Sequence, residues 1–171
     1  IAFYFSPLIN AVVRVGTMKE KEELFKLFIE PNTLIQSEKR GAKPGDMEKL
    51  AVEVARKAAN ARSRQNRTKE KAIDLLDYKI HKYDLLEHKI IVIEVADEDR
   101  IPQELTGLLA TQFVNKYGRP CMIVRRNDEG YLRGSMRGNE NFSEVPNLQK
   151  FLLSSNVMDY CEGHANAAGV S

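Results

Sequence analysis

The sequence has few of the residues that bind metal ions or form disulfides. Its two cysteines, Cys121 and Cys161, match no zinc-ligand spacing, and there are three histidines in 171 residues. The acidic run 97–99 has no histidine beside it, and no serine or cysteine nucleophile motif is present. Hydrolysis of a phosphodiester by two metal ions needs clustered aspartates and histidines. We therefore predict a chain that holds no metal and that binds but does not cut by itself.

Long hydrophobic runs, sequence repeats and low-complexity tracts are also missing. No run approaches the ~20 apolar residues of a membrane helix, and the apolar start contains Pro7 and Asn10 with no basic stretch before it, unlike a signal peptide. We expect no membrane association and a reducing, cytoplasmic setting. The net charge of +2 is too small to indicate a polyanionic partner by itself. The positions of the basic residues must decide that question.

The first half of the chain has helical patterns. Thr17 and Glu20 form a capping-box pattern that predicts a helix over residues 18–29. Asp46 is a suitable N-cap for the next segment, residues 47–81, which lacks proline and glycine and has one apolar side. This segment predicts one long helix or two in near continuity. Its middle is polar on the side that is apolar before and after it, which predicts a helix that bridges a gap between domains.

The second half alternates between strand and helix patterns. β-Branched and apolar runs predict strands over 90–95, 120–125 and 131–137, and helical patterns cover 105–117 and 146–153. Strand, helix and strand in this order form a βαβ unit. The sequence therefore predicts an α/β chain. A long helical connector, residues 1–83, precedes a small mixed β-sheet domain flanked by helices, residues 84–171.

The strand predicted over 131–137 carries a candidate phosphate site. Because side chains alternate along a strand, Arg133, Ser135 and Arg137 project from one face together with Tyr131. Two guanidinium groups beside a hydroxyl can bind phosphate oxygens. A solvated strand face is the alternative.

The segment that ends the sequence carries a second candidate. His164 follows Gly163 and precedes a run of small residues that includes Ala168 and Gly169. Such residues let a backbone approach an anion closely, and glycine permits the positive φ that anion-binding turns need. We predict a phosphate turn here, with a helix N-terminus as one arrangement. A hydrogen-bonded structural histidine is the alternative.

Basic residues on the predicted long helix form a third candidate. Five of them fall within an arc of roughly 100° at the helical repeat; this basic stripe consists of Arg56, Lys57, Arg64, Arg67 and Lys71. A nucleic-acid strand along the helix would use it, although a solvated basic face is the alternative because acids lie nearby. Asn10 and Arg14 place an amide and a guanidinium four residues apart before the helix predicted from residue 18. A turn or cap role for Asn10 is the alternative.

Four segments resemble, in order, the second half of RecJ-like single-strand-specific exonucleases of the DHH phosphoesterase superfamily. They are Pro7–Gly16, residues 106–110 with 117–120, Gly134–Gly138, and residues 163–169. The resemblance covers nearly the whole chain. Glu162 stands where that family has a glycine, and residues 99–102 replace the family's usual lead-in to the central helix. These departures indicate a divergent branch, of mobile-element or phage type.

The resemblance implies a function for the longer protein. It implies a metal-dependent exonuclease on single-stranded DNA in repair and recombination, whose Mn²⁺ or Mg²⁺ is held by an N-terminal DHH domain that is absent here. The DHH-associated domain would hold the strand, and a long helix would join the two. Arg14, Ser135 and Arg137 would grip phosphates, and His164 would face the scissile phosphate.

Other readings stay open from the sequence. RNA and short oligonucleotides remain as alternative partners. The longer protein could instead be a phosphodiesterase for short oligonucleotides or cyclic dinucleotides, or a catalytically inactive nucleic-acid-binding scaffold. Because the sequence starts at Ile1 rather than methionine, we expect an excised piece of a longer protein.

Overall fold

The computed structural model describes residues 3–171; Ile1 and Ala2 of the predicted connector lie outside this range. The chain divides into two compact units, Ile1–Thr68 and Lys69–Ser171. The division falls within the long helix, before the domain boundary predicted at residues 83 and 84. That domain assignment stays a prediction, and each unit is described by itself.

The first unit begins with two helices, α1 (Phe5–Val15) and α2 (Met18–Leu27). The predicted capping box of α2 is confirmed: the Glu20 amide donates to Thr17 Oγ1 at 3.2 Å, and the Thr17 amide donates to Glu20 Oε2 at 2.8 Å. Helix α1 was not predicted, because residues 1–16 were taken to precede the first helix and Asn10 had a turn or cap role as its alternative. Pro7 lies in the first turn, where the N–H that proline lacks would have no helical partner. The segment with Asn10 and Arg14 is therefore itself a helix.

A short hairpin precedes the long helix. Strand β1 (Leu34–Gln36) pairs antiparallel with β2 (Met47–Lys49), and α3 follows over Leu50–Lys82. The prediction that Asp46 caps a helix beginning at Met47 is wrong. Asp46 Oδ2 instead accepts from the Lys43 amide at 2.8 Å and closes the hairpin turn, a local bond that competes with helix formation.

Helix α3 is one continuous helix of 33 residues, which confirms the single-helix alternative. Its first turns pack with α1 and α2 through small and branched side chains, which let helices approach closely. The buried set is Ala11, Val12, Leu24, Leu50, Val54, Ala58 and Ala61.

The second unit is built on a five-stranded sheet with the order β3-β4-β5-β7-β6. Its strands are Ile91–Val95, Cys121–Arg126, Leu132–Arg137, Cys161–His164 and Ala167–Val170, numbered β3 to β7 in chain order. Strands β3 and β4 are parallel and are joined through α4 (Thr106–Tyr117), and the other pairs are antiparallel. The predicted βαβ unit and the α/β class with a mixed sheet are confirmed.

The two faces of this sheet are covered differently. Helix α4, which is followed by the C-cap residue Gly118 with φ of 68°, packs on one face of β4 and β5. Helix α5 (Leu148–Ser154) lies on the other face and begins two residues later than predicted, because Asn147 Oδ1 caps it by accepting from the Lys150 amide at 2.9 Å. The core on the α5 face consists of Met122, Val124, Met136, Val145, Leu148, Leu152, Cys161, Ala168 and Val170.

Short 3₁₀ turns over Leu85–Glu87, Asp97–Asp99 and Gln103–Leu105 complete the second unit. In the described range, none of the helices is both long enough and apolar enough to cross a bilayer.

Candidate nucleic-acid interface

The sheet face that carries α4 gathers most of the polar residues predicted for the second unit. Strand register sets Ser135 opposite Gly169, and Gly169 opposite Glu162. In the adjacent row, Arg137 lies opposite Ala167, which lies opposite His164. We call this surface the polar sheet face; it comprises Ser135, Arg137, Glu162, His164, Ala167 and Gly169.

On the polar sheet face, strand β7 lies between β5 and β6 and carries only small residues. Gly169 and Ala167 on β7 separate the polar side chains of β5 from those of β6. Because neighbouring strands lie about 4.8 Å apart, the Arg137 and His164 backbones are roughly 10 Å apart. A phosphate group can therefore approach the β7 backbone between a guanidinium and an imidazole.

A residue of helix α4 positions the Ser135 side chain. Thr106 Oγ1 donates to the Gln103 carbonyl at 2.8 Å and lies 3.0 Å from Ser135 Oγ. Because the single Thr106 proton is used on Gln103, Ser135 donates to Thr106. The Ser135 hydroxyl keeps its acceptor lone pairs, and it must rotate before it can donate to a phosphate.

The Arg137 guanidinium lies against the first turn of α4. Its Nη1 donates to the Met136 carbonyl at 2.7 Å. A Cβ added at Gly107 would lie 2.6 Å from Arg137 Nη2, so the glycine makes room for the guanidinium. A helix N-terminus carries partial positive charge and attracts anions, as a guanidinium does. The helix end and the guanidinium together favour an anionic ligand.

His164 and Glu162 complete the face from β6. Both residues are exposed, and within the part of the chain that the structure describes the His164 ring makes no hydrogen bond or ion pair. His164 is therefore not held internally in the manner of the structural alternative, although its role in binding stays a prediction. Glu162 adds a negative charge to the same face, which opposes phosphate binding in its row.

Gly163 and Ala168, which the sequence predicts to bind phosphate, lie on the opposite face. Ala168 is buried in the core on the α5 side, and Gly163 is paired with it across the β6–β7 hairpin. Gly163 has φ of 145°, and an added Cβ would lie 2.7 Å from the Ala168 Cα. These two residues allow the strands to pack. The segment is a β-hairpin rather than the start of a helix, so the helix alternative for this turn is wrong.

Asn10 and Arg14 lie in the first unit, one turn apart on α1, so both project from one side of that helix. Asn10 is exposed and Arg14 is half-buried, and neither side chain has a hydrogen bond or ion pair within residues 3–171. Both polar groups are free to meet a ligand on this side of α1.

The N-terminal part of the basic stripe, Arg56 and Lys57, is neutralised by ion pairs within the first unit. Arg56 Nη2 lies 2.8 Å from Glu48, and Lys57 Nζ lies 2.6 Å from Glu23 and 2.8 Å from Glu38. Hydrogen bonds from Lys19 and Lys57 lower the pKa of Glu38 to about 2. Burial acts to lower the pKa of Lys57, but its bonds to Glu23 and Glu38 outweigh burial and raise it. These charges stabilise the fold and are poorly available to a ligand.

The C-terminal part of the basic stripe is only partly neutralised. Arg64 still pairs with Glu20 at 2.7 Å. Arg67 and Lys71 are exposed, and neither forms an ion pair with any residue that the structure describes. Two of the five predicted cations are therefore free to meet a phosphate backbone.

Metal and thiol chemistry find no support in the described range. Among residues 3–171 there is no group of three or more His, Cys, Asp or Glu residues that could hold a metal ion. Both cysteines are buried, and burial raises the pKa of Cys121 to about 12. That thiol stays protonated and unreactive at neutral pH.

Two curated proteins and several solved structures are similar to this chain. No protein-family model matches the chain. It is 28% identical over 170 residues to a Bacillus subtilis (strain 168) protein provisionally named SPbeta prophage-derived single-strand DNA-specific exonuclease YorK, and equally to its counterpart in Bacillus phage SPbeta. The alignment covers 98% of this chain and 29% of each relative. The chain thus spans less than a third of the length of these relatives.

Solved structures decide the fold. RecJ from Thermus thermophilus in complex with Mg²⁺ matches with a TM-score of 0.62 and 18% identity, over 99% of this chain and 22% of RecJ. The chain has a RecJ-like fold. The same enzyme with Mn²⁺ gives a TM-score of 0.60 at 20% identity, over 99% of this chain and 21% of RecJ. The RecJ-like resemblance inferred from the four sequence segments is confirmed.

Sequence reasoning missed two residues of the RecJ-like sheet domain that shape the polar sheet face. Thr106 and Gly107 stand in a helical pattern and in one segment of the family resemblance, and neither was predicted as a site residue. A glycine so near the start of a helix, where alanine is the better helix former, is the one local signal of a close approach. The group that approaches Gly107 is the Arg137 guanidinium, and the strand register places it there.

Proposed function

We propose that this chain is the substrate-binding part of a longer RecJ-like exonuclease that hydrolyses single-stranded DNA, and that the chain alone binds the strand without cutting it. The observation that carries the proposal is the arrangement of Arg137 against the first turn of α4, with His164 across β7 on the same face. The names of the relatives and the RecJ-like fold support it. The same resemblance supports the domain assignment, with residues 1–83 as connector and 84–171 as binding domain.

Binding follows from the charges and the shape of the polar sheet face. Arg137 supplies a permanent cation with several donors, which suits phosphate oxygens at any physiological pH. His164 supplies a second donor, and we propose that it faces the scissile phosphate. Arg14 on α1 would bind a further phosphate, with Asn10 beside it. Glu162 weakens the site relative to a glycine at that position.

The metal belongs to another part of the longer protein in this proposal. The RecJ structures hold Mg²⁺ or Mn²⁺, and we propose that the longer protein uses one of them. The described residues of this chain do not provide a ligand cluster for it. The missing DHH domain of the same polypeptide would supply the ligands and therefore the hydrolytic step.

The wider biology follows the same relatives. The matched sequences come from a prophage and a phage, which supports a phage-type branch for this protein. A role in DNA repair and recombination, in the cytoplasm, is the corresponding proposal. Two buried, unpaired cysteines are compatible with a reducing compartment.

Fluorescence anisotropy with a labelled oligothymidylate tests binding. Replacing Arg137 with alanine should weaken affinity about tenfold or more, because a charged hydrogen bond to a phosphate is lost. The dependence of log affinity on log salt should flatten by about 0.7 for each lost phosphate contact on a single strand. Arg14→Ala should act in the same direction. The matched control is Arg126→Ala, since Arg126 is an exposed arginine on neighbouring β4 that pairs with Glu94.

Unchanged affinity and salt slope in Arg137→Ala would show that the polar sheet face does not bind phosphate. Hydrolysis of the oligonucleotide by the purified chain with Mn²⁺ would contradict the separation of binding from cutting. Equally tight binding of RNA or a cyclic dinucleotide would redirect the substrate assignment. In the longer protein, loss of the Asp and His metal motifs would support a scaffold instead of an enzyme.

A further inference from the structure

A groove of about 740 Å³ opens at the end of the polar sheet face, within the second unit. Its size is in the range of small-molecule and nucleotide sites. Two aromatic rings, one guanidinium and one amide line it, together with an acid at its rim; these residues are Tyr131, Tyr160, Arg133, Gln103 and Asp159.

Strand register places Tyr160 and Arg133 on the same face as the predicted phosphate site. Arg133 is two residues from Ser135 on β5, so their side chains share a face. Tyr160 and Ser171 exchange two backbone hydrogen bonds, of 3.1 and 3.0 Å, which extends the β6–β7 ladder by one pair. Alternation from Glu162 then puts Tyr160 on this face as well. The groove is thus the next row of the polar sheet face.

The Tyr160 ring lies over a glycine and remains accessible. A Cβ added at Gly169 would be 3.5 Å from Tyr160 Cε1, so the ring lies close to the open β7 backbone. Tyr160 is 45% exposed and Tyr131 is 53% exposed. Two partly exposed rings at the edge of a cationic face are what stacking of unpaired bases requires.

Arg133 supplies the charge for this groove. Its side chain is exposed, and its guanidinium forms no hydrogen bond or ion pair with the rest of the described chain. Its cross-strand neighbour Arg125 is held by Asp97 at 2.7 Å and by the Ile101 carbonyl at 2.5 Å. Like charges opposite each other on adjacent strands are unfavourable. Asp97 compensates the charge of Arg125, so Arg133 is the guanidinium of this pair that is left for a phosphate.

The remaining polar groups fit a base rather than a second phosphate. The Gln103 amide nitrogen donates to the Arg133 carbonyl at 3.2 Å, and its carbonyl oxygen remains as an acceptor. Asp159 places a carboxylate at the rim, which repels phosphate and can accept from a base N–H. The groove therefore has one position for a phosphate, at Arg133, and apolar and accepting walls elsewhere.

We propose that this groove is a base-stacking subsite for a nucleotide of single-stranded DNA, with Tyr160 as the stacking platform and Arg133 on the adjoining phosphate. The inference rests on the proposed function and extends it along β5. Arg133 and Arg137 are four residues apart, or about 13 Å on a strand. A bound strand would run along this line, with its phosphates on the arginines and a base in the groove.

The test compares an oligothymidylate with an abasic oligomer of equal length, which keeps the phosphates but has no bases. Tyr160→Ala should weaken binding of the oligothymidylate about tenfold, within the range for loss of one base–aromatic stack. Binding of the abasic oligomer should not change. Tyr160→Phe keeps the ring and should bind like the wild-type chain. The matched control is Tyr78→Ala, because Tyr78 is a 61% exposed tyrosine on α3.

A spectroscopic measurement avoids dependence on affinity alone. The chain contains no tryptophan and six tyrosines, so its emission comes from tyrosine. Saturating oligothymidylate should quench a fraction of this emission, and Tyr160→Phe should remove that fraction while affinity is kept.

Three results would overturn the inference. Equal weakening of both oligomers by Tyr160→Ala would show that the ring shapes β6 rather than stacks on a base. No effect of Tyr160→Ala, in a chain where Arg137→Ala does weaken binding, would remove the subsite and leave the proposed function intact. Absence of binding by the wild-type chain would remove both.

Discussion

At the scale of single residues, Gly107 determines where the Arg137 guanidinium lies. A Cβ at this position would come within 2.6 Å of Arg137 Nη2 and within 3.3 Å of Ser135 Oγ. The guanidinium is the far end of a flexible side chain and can move away, whereas the strand beneath it cannot. A methyl group at residue 107 would therefore disturb the proposed phosphate site and leave the fold in place.

Gly107→Ala should accordingly weaken binding of single-stranded DNA severalfold while the melting temperature stays the same or rises, because alanine is the better helix former by up to about 1 kcal/mol. Anisotropy and thermal unfolding by circular dichroism measure the two effects. In an Arg137→Ala background the same substitution should cause no further loss, since its effect acts through that guanidinium. Additive losses would show that Gly107 affects binding by another route.

Part of the site could be predicted residue by residue. The two-residue period of a strand was sufficient to place Ser135 and Arg137 on one face. The same reasoning was not applied to Gly163 and Ala168, because the hairpin turn over residues 165 and 166 has no glycine and was not recognised. Without the turn, the sequence did not show which residues of β6 and β7 face which side of the sheet. Tyr160 was missed for the same reason.

At the scale of elements, α3 carries cations with two different roles. Arg64 bonds to Glu20 on α2, 44 residues away in sequence, while Arg67 one turn later is exposed. A helical wheel shows both on one side of the helix and cannot show which of them meets an acid from another element. The sequence therefore predicted the stripe as a uniform surface, whereas the structure divides it.

Substitutions of Arg64 and Arg67 should have different effects on stability and on DNA binding. Arg64→Ala should lower the melting temperature by about 2 °C, as expected for a partly exposed ion pair of about 1 kcal/mol or less in a chain of this size. Arg67→Ala should leave the melting temperature unchanged and flatten the salt dependence of DNA binding by about 0.7. If Arg67→Ala leaves binding unchanged at every salt concentration, the strand does not follow α3.

Proline and aspartate lie where the sequence missed a helix and where it placed a helix start too early. No helix was predicted around Pro7, yet the first turn of a helix tolerates proline. Asp46 was taken as a helix cap, yet its carboxylate closes a hairpin turn. Both residues favour either structure locally, and the packing of α1 and the pairing of β1 with β2 decide between them.

At the scale of the whole molecule, stability depends on ionised carboxylates. Hydrogen bonds from Lys19 and Lys57 hold the pKa of Glu38 at about 2, and those from Arg56 and Ser37 hold the pKa of Glu48 at about 2. An unfolded glutamate takes up its proton near pH ~4.3. The stabilisation is therefore complete above about pH 5 and is lost as the pH falls toward about 2, where the folded carboxylates also protonate.

Urea unfolding should show this loss. The midpoint should fall between about pH 5 and about pH 3, because the unfolded chain binds more protons than the folded chain in that interval. Glu38→Gln should lower the midpoint at neutral pH and reduce the decrease on acidification. A midpoint that is independent of pH over this interval would show that these ion pairs do not contribute to stability.

The spatial order of the strands was beyond prediction from this sequence. Strands β3 to β5 are neighbours in the sheet and in the sequence, and each was predicted within one residue of its observed start. The hairpin that follows docks with its second strand, β7, against β5 and its first strand, β6, at the edge. Which of its two strands docks depends on side-chain fit along β5, because both present the same backbone donors and acceptors.

The position of β7 between β5 and β6 also determines when a binding surface can exist during synthesis. A nascent chain that has emerged from the ribosome as far as α5 already contains β3, α4, β4 and β5, with Arg137 in place and one edge of β5 open. Gly169, Ala167 and His164 arrive only with the β6–β7 hairpin. Under the proposed function, competence to bind DNA is therefore acquired only then, in the same step that closes an otherwise aggregation-prone strand edge.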